Sequence, residues 1–184
     1  AFIGDDVSTF PDYPAEIRAP QGTVGGVSGF QLHFGKIVDN PGDYSDVLVA
    51  MNPAALKANL KWVKDGGTII LDSDSFTEKN YKRAEYSEEE LKAVFENFNV
   101  IEAPITSLTK ESLVDSGLDN RSITRSKNMF ALGMVYCIFD RPLDYTEKFI
   151  DEKFSKKIEV AEANKKALKD GFNYAVTIHA MPSY

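Results

Sequence analysis

The run DVLVA at residues 46–50, broken at once by Met51-Asn52-Pro53, constrains this chain more than any other feature. A short run of this kind, apolar without alternation, suits a strand buried on both faces of a parallel sheet. Asn52 is a natural N-cap and Pro53 a natural first helical residue, because the cap side chain satisfies a free amide and proline has none to satisfy. Residues 54–63 (AALKANLKWV) then place apolar side chains at helical spacing, and Asp65-Gly66-Gly67 reads as the stop. Thr68-Ile69-Ile70-Leu71 is a second buried strand, which breaks into the polar loop DSDSF. Strand, capped helix, glycine stop and strand make a βαβ unit, and such units cross over right-handed. The chain is therefore expected to be α/β, with a mainly parallel sheet flanked by helices. Ligands of open α/β sheets bind outside the carboxyl ends of the strands. That rule points to Asn52, to residues 72–75, and to Arg18 if its loop folds over the same edge.

The stretch 9–34, TFPDYPAEIRAPQGTVGGVSGFQLHF, is the densest in constrained backbone. Residues before Pro11, Pro14 and Pro20 are pushed out of the helical region, so Glu16 and Arg18 sit on a stiff, non-helical support. Gly22, Gly25, Gly26 and Gly29 then relax the backbone. In the strand FQLHF, Phe30, Leu32 and Phe34 share one face and Gln31 and His33 the other. This leaves room in the architecture for one antiparallel strand or hairpin. Arg18 reads equally as a bidentate contact to a carboxylate or phosphoryl group and as a surface partner of Glu16 or Asp12. The glycines do not spell G-x-G-x-x-G and precede a strand instead of following one, so they fit a turn that lets a partner or ligand approach the backbone.

Composition narrows the function classes. At 184 residues and 43% hydrophobic content, the chain fits one domain with a sizeable core. A net charge of −7 argues against a nucleic-acid or anionic-membrane surface. No apolar run is long enough to span a bilayer. The single cysteine, Cys137, lies in the apolar run MFALGMVYCIF and reads as a buried, inert thiol. One cysteine builds no iron–sulfur or zinc site by itself. Asp72 and Asp74 could serve magnesium, but without a third ligand a turn is the better reading. His33 is expected to be exposed or partner-facing, and no serine–histidine–aspartate set has a nucleophile elbow.

Further along, SEEELKAVFENF at 87–98 is expected as a helix with a Ser87–Glu90 capping box, followed by a short strand at 99–103. Residues 105–118 carry no clear pattern, and 121–127 are basic and polar. MFALGMVYCIF should be a core helix, with further helices at 145–154 and 160–170, the last stopped by Gly171. Residues 172–184 lose periodicity and read as a tail or linker, while the opening AFIGDDV reads as the tail of a helix followed by a turn.

The segments FPDYPAEIRAPQGTVGGVSGFQLHF, SDVLVAMNPAALKANL, GGTIILDSD, PITSLTKE, GLDNRSITRSKNMFALGMVY and FIDEKFSKKIEVAEANKKALKDGFNY resemble the gamma-type domain of 2-oxoacid:ferredoxin (acceptor) oxidoreductases. The likeness is to the form fused ahead of an alpha portion, as in 2-oxoglutarate:ferredoxin oxidoreductases. Its most specific pieces are the P-A-E-I-R run ending at Arg18 and the D-V-L-V-A-M-N run ending at Asn52. The resemblance implies a cytoplasmic enzyme that decarboxylates a 2-oxoacid on thiamine diphosphate and Mg2+, passes electrons through iron–sulfur clusters to ferredoxin, and captures the acyl group on coenzyme A. Those cofactors are expected on alpha and beta portions, none on this chain alone. The family's initial strand and glycine-rich turn are missing, so the chain is expected to be a single gamma-type domain, 1–184, truncated at its start and continuing into an alpha portion. Glu16, Arg18, Gln21, Gly25, Gly26 and Asn52 are the expected contacts to a ligand or a partner, and no catalytic residue is assigned. The alternative reading is a non-catalytic α/β binding or assembly module.

Overall fold

The computed structural model describes residues 6–12, 29–40 and 42–180. The chain divides into two compact units, Ala1–Ala103 and Pro104–Tyr184.

In the first unit, β1 (Asp6–Asp12) and β2 (Gly29–Gly35) form an antiparallel pair of their own. The hairpin for which the sequence left room is thus present, as a separate sheet. A three-stranded parallel sheet follows, built from β3 (Ser45–Ala50), β4 (Val63–Asp72) and β5 (Asn99–Ala103) in the order β3-β4-β5. Between β3 and β4 lies α1 (Pro53–Asn59), and between β4 and β5 lie α2 (Glu78–Arg83) and α3 (Glu88–Asn97). Leu56 of α1 and Val94 of α3 join Ala50, Ile69 and Leu71 in one apolar cluster, so both crossovers cover the same face of the sheet. The alternate residues of β4, Thr68, Ile70 and Asp72, are also buried, as a strand covered on both faces requires.

The helix expected through Val63 ends earlier. After Asn59 the chain tightens into a 3-10 turn at Leu60–Trp62, and Val63 already belongs to β4. Gly66 and Gly67 are therefore not a helix stop. Between the pairs Ser45↔Val63 and Val47↔Thr68, β3 advances two residues while β4 advances five, and the glycines absorb the excess. Gly66 takes φ +72°, and a Cβ on Gly67 would stand 2.8 Å from the Lys64 carbonyl oxygen.

The second unit is helical: α4 (Ile105–Ser112), α5 (Asn120–Arg125), α6 (Lys127–Ile138), α7 (Asp144–Lys153) and α8 (Ile158–Thr177). The patternless stretch after residue 104 thus contains a helix, and the basic stretch is largely α5. Gly171 does not stop α8, which runs on to Thr177 through residues expected to be a tail. Ala161, Asn164, Leu168, Gly171 and Ala175 recur at alternating steps of three and four, all buried. This is the seam that α6 packs against. A Cβ on Gly171 would stand 1.9 Å from the Phe130 carbonyl oxygen, and one on Gly133 would stand 2.0 Å from that of Leu168. Each glycine is there because the other helix's backbone occupies the place of its side chain.

Helices α2, α6 and α8 end alike, on a left-handed residue that is not glycine: Glu85 (φ 56°), Asp140 (φ 48°) and His179 (φ 51°). In each, the next amide reaches back to a carbonyl of the last turn, as in Arg141 N to Tyr136 O at 2.8 Å. At the chain's start, Asp6 and Val7 lie in β1 and not in a helix tail or the turn after it, and residues 1–5 lie outside the described residues.

Candidate functional site

The carboxyl edge of the parallel sheet is where the fold concentrates polar side chains. Ala50 pairs with Leu71, and Asp72 with Ala103, so the turns after β3 and β4 emerge side by side. Asn52 follows β3 in extended conformation (φ −166°, ψ 164°), and its Oδ1 accepts from Ala55 N at 2.8 Å. Its carbonyl accepts from Leu56 N at 3.1 Å, and Pro53 opens the helix. The expected N-cap is therefore in place. Asn52 is exposed, which leaves its amide nitrogen at the surface to donate outward.

After β4 the polar loop closes into a 3-10 turn at Ser73–Ser75. Asp72 is fully buried and accepts from Ser75 Oγ at 3.3 Å, whereas Asp74 is exposed. The two carboxylates thus occupy different environments, and the turn reading holds. Among the described residues no group of three histidine, cysteine, aspartate or glutamate side chains could hold a metal ion. Asn80 Nδ2 donates to Ser75 O at 2.8 Å and fixes α2 to this turn.

Behind the edge, Phe76, Tyr81 and Tyr86 stack edge to face, with centroids 5.7 and 6.1 Å apart. Lys57 Nζ lies 5.0 Å over the Tyr86 ring and 3.6 Å from Glu90. Burial raises the phenol pKa of Tyr81, with Glu102 adding to it, and raises that of Tyr86 further, with Glu90 and Tyr81 adding. Both phenols therefore stay neutral. The Ser87–Glu90 capping box forms as expected, and the Glu90 carboxyl is held below its ordinary value chiefly by the Ser87 amide.

Of the expected contact residues, Glu16, Arg18, Gln21, Gly25 and Gly26 lie outside the described residues. The ends of their stretch are described: Asp12 pairs with Gly29 across the β1–β2 ladder. His33, also expected to face a partner, is exposed and bonds the Asn40 carbonyl at 2.8 Å. Cys137 is buried, and burial, with Asp140, raises its thiol pKa. It is the inert thiol expected.

The second unit holds a feature the sequence showed only as a basic stretch. Arg121, Thr124 and Arg125 of α5, with Lys127 and Asn128 of α6, line an open groove of about 620 Å³. Asp119 caps α5 by accepting from Ser122 N at 3.2 Å, and the Ser122 hydroxyl first and its amide second lower the Asp119 carboxyl pKa. Arg121 and Arg125 lie one turn apart and exposed, and no acid occurs from Asn120 to Phe139. Such a groove suits a carboxylate or phosphoryl group. The signal was the arginine spacing, which has meaning only once α5 is known to be a helix. No helix among the described residues is long and apolar enough to cross a membrane.

A family model described as pyruvate ferredoxin/flavodoxin oxidoreductase matches residues 3–174. Over 182 residues the chain is 44% identical to the 2-oxoglutarate oxidoreductase subunit KorA of Mycobacterium tuberculosis, covering 98% of this chain and 28% of that relative. It thus spans little more than a quarter of the length of the curated relative it matches. Among solved structures it is similar to the 2-oxoglutarate:ferredoxin oxidoreductase of Magnetococcus marinus with 2-oxoglutarate, coenzyme A and succinyl-CoA bound (TM-score 0.65, 23% identity, 95% of this chain and 26% of that one). It is also similar to the gamma subunit of the keto/oxoacid ferredoxin oxidoreductase of Geobacter sulfurreducens (TM-score 0.61, 19% identity, 96% of this chain and 83% of that one). At these identities the two structural likenesses are ones of fold.

Proposed function

Because the chain belongs to the pyruvate ferredoxin/flavodoxin oxidoreductase family, we propose that it is the gamma-type domain of a 2-oxoacid:ferredoxin oxidoreductase that acts on 2-oxoglutarate. In this reading it is one single domain, continuing into an alpha portion and assembling with a beta portion in the cytoplasm. The enzyme oxidatively decarboxylates the 2-oxoacid, passes the electrons to ferredoxin, and releases the acyl group as its coenzyme A thioester. The observation that carries the choice of 2-oxoglutarate is the 44% identity, over 98% of the chain, to a subunit of a 2-oxoglutarate oxidoreductase.

The described residues do not fit the family's redox and thiamine cofactors. Cys137 is the sole cysteine and is buried, and among the described residues no group of three histidine, cysteine, aspartate or glutamate side chains could hold a metal ion. Thiamine diphosphate, Mg2+ and the iron–sulfur clusters are therefore assigned to the alpha and beta portions, and no step of the reaction is routed through this chain. Its own task is to dock and to shape the approach of coenzyme A or the 2-oxoacid. Arg18, oriented by Glu16, is the leading contact, followed by Gln21, while Gly25 and Gly26 admit a neighbouring backbone. Asn52 comes second, through the amide nitrogen that its cap leaves exposed.

The test is reconstitution with the alpha and beta portions, followed by viologen reduction dependent on 2-oxoglutarate and coenzyme A. Turnover requiring all three portions is the expected result. Activity of the 184-residue chain alone would refute a non-autonomous domain, and inactivity of the assembly on every 2-oxoacid would refute the enzyme. Arg18→Ala should weaken assembly, or raise the half-saturating coenzyme A concentration, about tenfold, the equivalent of ~1.4 kcal/mol. No change in either would remove Arg18 from the site.

A further inference from the structure

Two open grooves of this chain carry basic side chains, and they differ in what balances the charge. In the first unit Glu78, Lys79, Lys82 and Arg83 of α2 line about 480 Å³, and Lys82 pairs with Glu78 at 2.6 Å. That groove supplies its own acid. In the second unit Arg121, Thr124 and Arg125 of α5, with Lys127 and Asn128 of α6, line about 620 Å³. Among the described residues neither Arg121 nor Arg125 forms an ion pair. Asp119, the acid next in sequence, is held by the Ser122 hydroxyl and amide, and of the groups that lower its carboxyl pKa Arg121 acts least. A chain of net charge −7 thus keeps Arg121, Arg125 and Lys127 together in one lining.

The grouping also selects the anion. Arg121 and Arg125 stand at i and i+4 on α5, so their side chains are neighbours. One guanidinium fork already satisfies both oxygens of a carboxylate. Two adjacent forks are matched by a phosphoryl group, which offers three acceptor oxygens and a charge of about −1.5 to −2. Thr124 Oγ1 donates its proton to Asn120 O at 2.7 Å, whereas Asn128 is exposed and brings a further amide donor. A water's share of the liquid is about 30 Å³, so the groove has room for the organic part of a phosphate ester as well as for the phosphoryl group. We propose that this groove is a phosphoryl-binding site, in which Arg121 and Arg125 clamp the oxygens and Lys127 adds charge, and that its ligand is a small phosphate monoester. The site is built by the second unit and uses neither Arg18 nor Asn52, so it goes beyond the function proposed above.

The experiment is isothermal titration calorimetry of the full-length protein at fixed ionic strength, with inorganic phosphate, ribose 5-phosphate, ribose and succinate as probes. Phosphate and ribose 5-phosphate should bind, ribose should not, and succinate should bind about tenfold more weakly or worse. Arg121→Gln and Arg125→Gln should each weaken phosphate and ribose 5-phosphate binding about tenfold. Both arginines are exposed on their helix, so neither substitution threatens the fold. Lys156→Gln, which removes an exposed charge outside the groove, should leave binding unchanged. Ribose 5-phosphate binding tighter than inorganic phosphate assigns the site to an organic ester, and equal or weaker binding assigns it to the free ion. Absence of phosphate binding, binding that survives both arginine substitutions, succinate binding as tight as phosphate, or an equal loss in Lys156→Gln would overturn the proposal.

Discussion

Two pairs of elements in this chain solve the same packing problem differently. Helices α6 and α8 close completely on each other: glycines at 133 and 171 let backbone meet backbone, and the seam residues are buried. Strands β1 and β2 leave large apolar side chains exposed on both faces, Phe30 and Leu32 on one and Phe10 on the other. The difference separates a sealed helix seam from a strand pair that stays exposed. A sealed seam tolerates no added atom, whereas an exposed side chain tolerates many changes.

Substitutions at the seam should produce the largest effects. Gly133→Ala or Gly171→Ala should cost about 3 kcal/mol or more in urea unfolding, because the obstacle is a carbonyl and not a side chain that can turn aside. The double substitution should cost less than the sum, since one separation of α6 from α8 relieves both clashes. A cost below about 0.5 kcal/mol for either would mean that the seam is not sealed.

The next effect tests the strand pair. Gly42 has φ +78° beside the His33 ring, and its amide donates to Asn40 Oδ1 at 2.8 Å. Gly42→Ala should cost about 1–2 kcal/mol and speed amide exchange in β2. Unchanged exchange would show that β2 is not anchored through this turn.

A cap belonging to neither pair supplies a scale for both. Ser87→Ala should cost about 1 kcal/mol. The Glu90 carboxyl has a lowered folded pKa, from the Ser87 amide first and Lys57 as well. Its contribution is therefore complete above the unfolded pKa and is lost as pH falls through the folded one. Carbon-detected NMR should show Glu90 titrating below an ordinary glutamate. Its midpoint staying at the ordinary value would mean that the reciprocal bond of the capping box does not persist in solution.

The smallest expected effect is the most informative for the exposed strand pair. Phe30→Ser should change the stability of the 184-residue chain by no more than about 0.5 kcal/mol. A loss of about 2 kcal/mol or more, of the order a buried aromatic would give, would mean that this chain covers Phe30 by itself and would erase the contrast with α6–α8.

What the sequence determined by itself was local. The run DVLVA, the Asn52-Pro53 cap, the Ser87–Glu90 box and the alternation of FQLHF all work through residues a few positions apart, so α1, α3, the parallel strands and the two faces of β2 were legible. The inert Cys137 and the Asp72 turn were legible for the same reason. Tertiary structure decided the rest. Gly66, Gly67 and Gly171 look like stops in sequence, but Gly66 is needed for its positive φ, Gly67 because the Lys64 carbonyl crowds its missing side chain, and Gly171 because the carbonyl of Phe130 on another helix does. Arg121 and Arg125 face one groove only because α5 is a helix. Alternation marks an apolar face without saying how much of it is covered, and only the structure shows Phe30 and Leu32 exposed beside a partly buried Phe34.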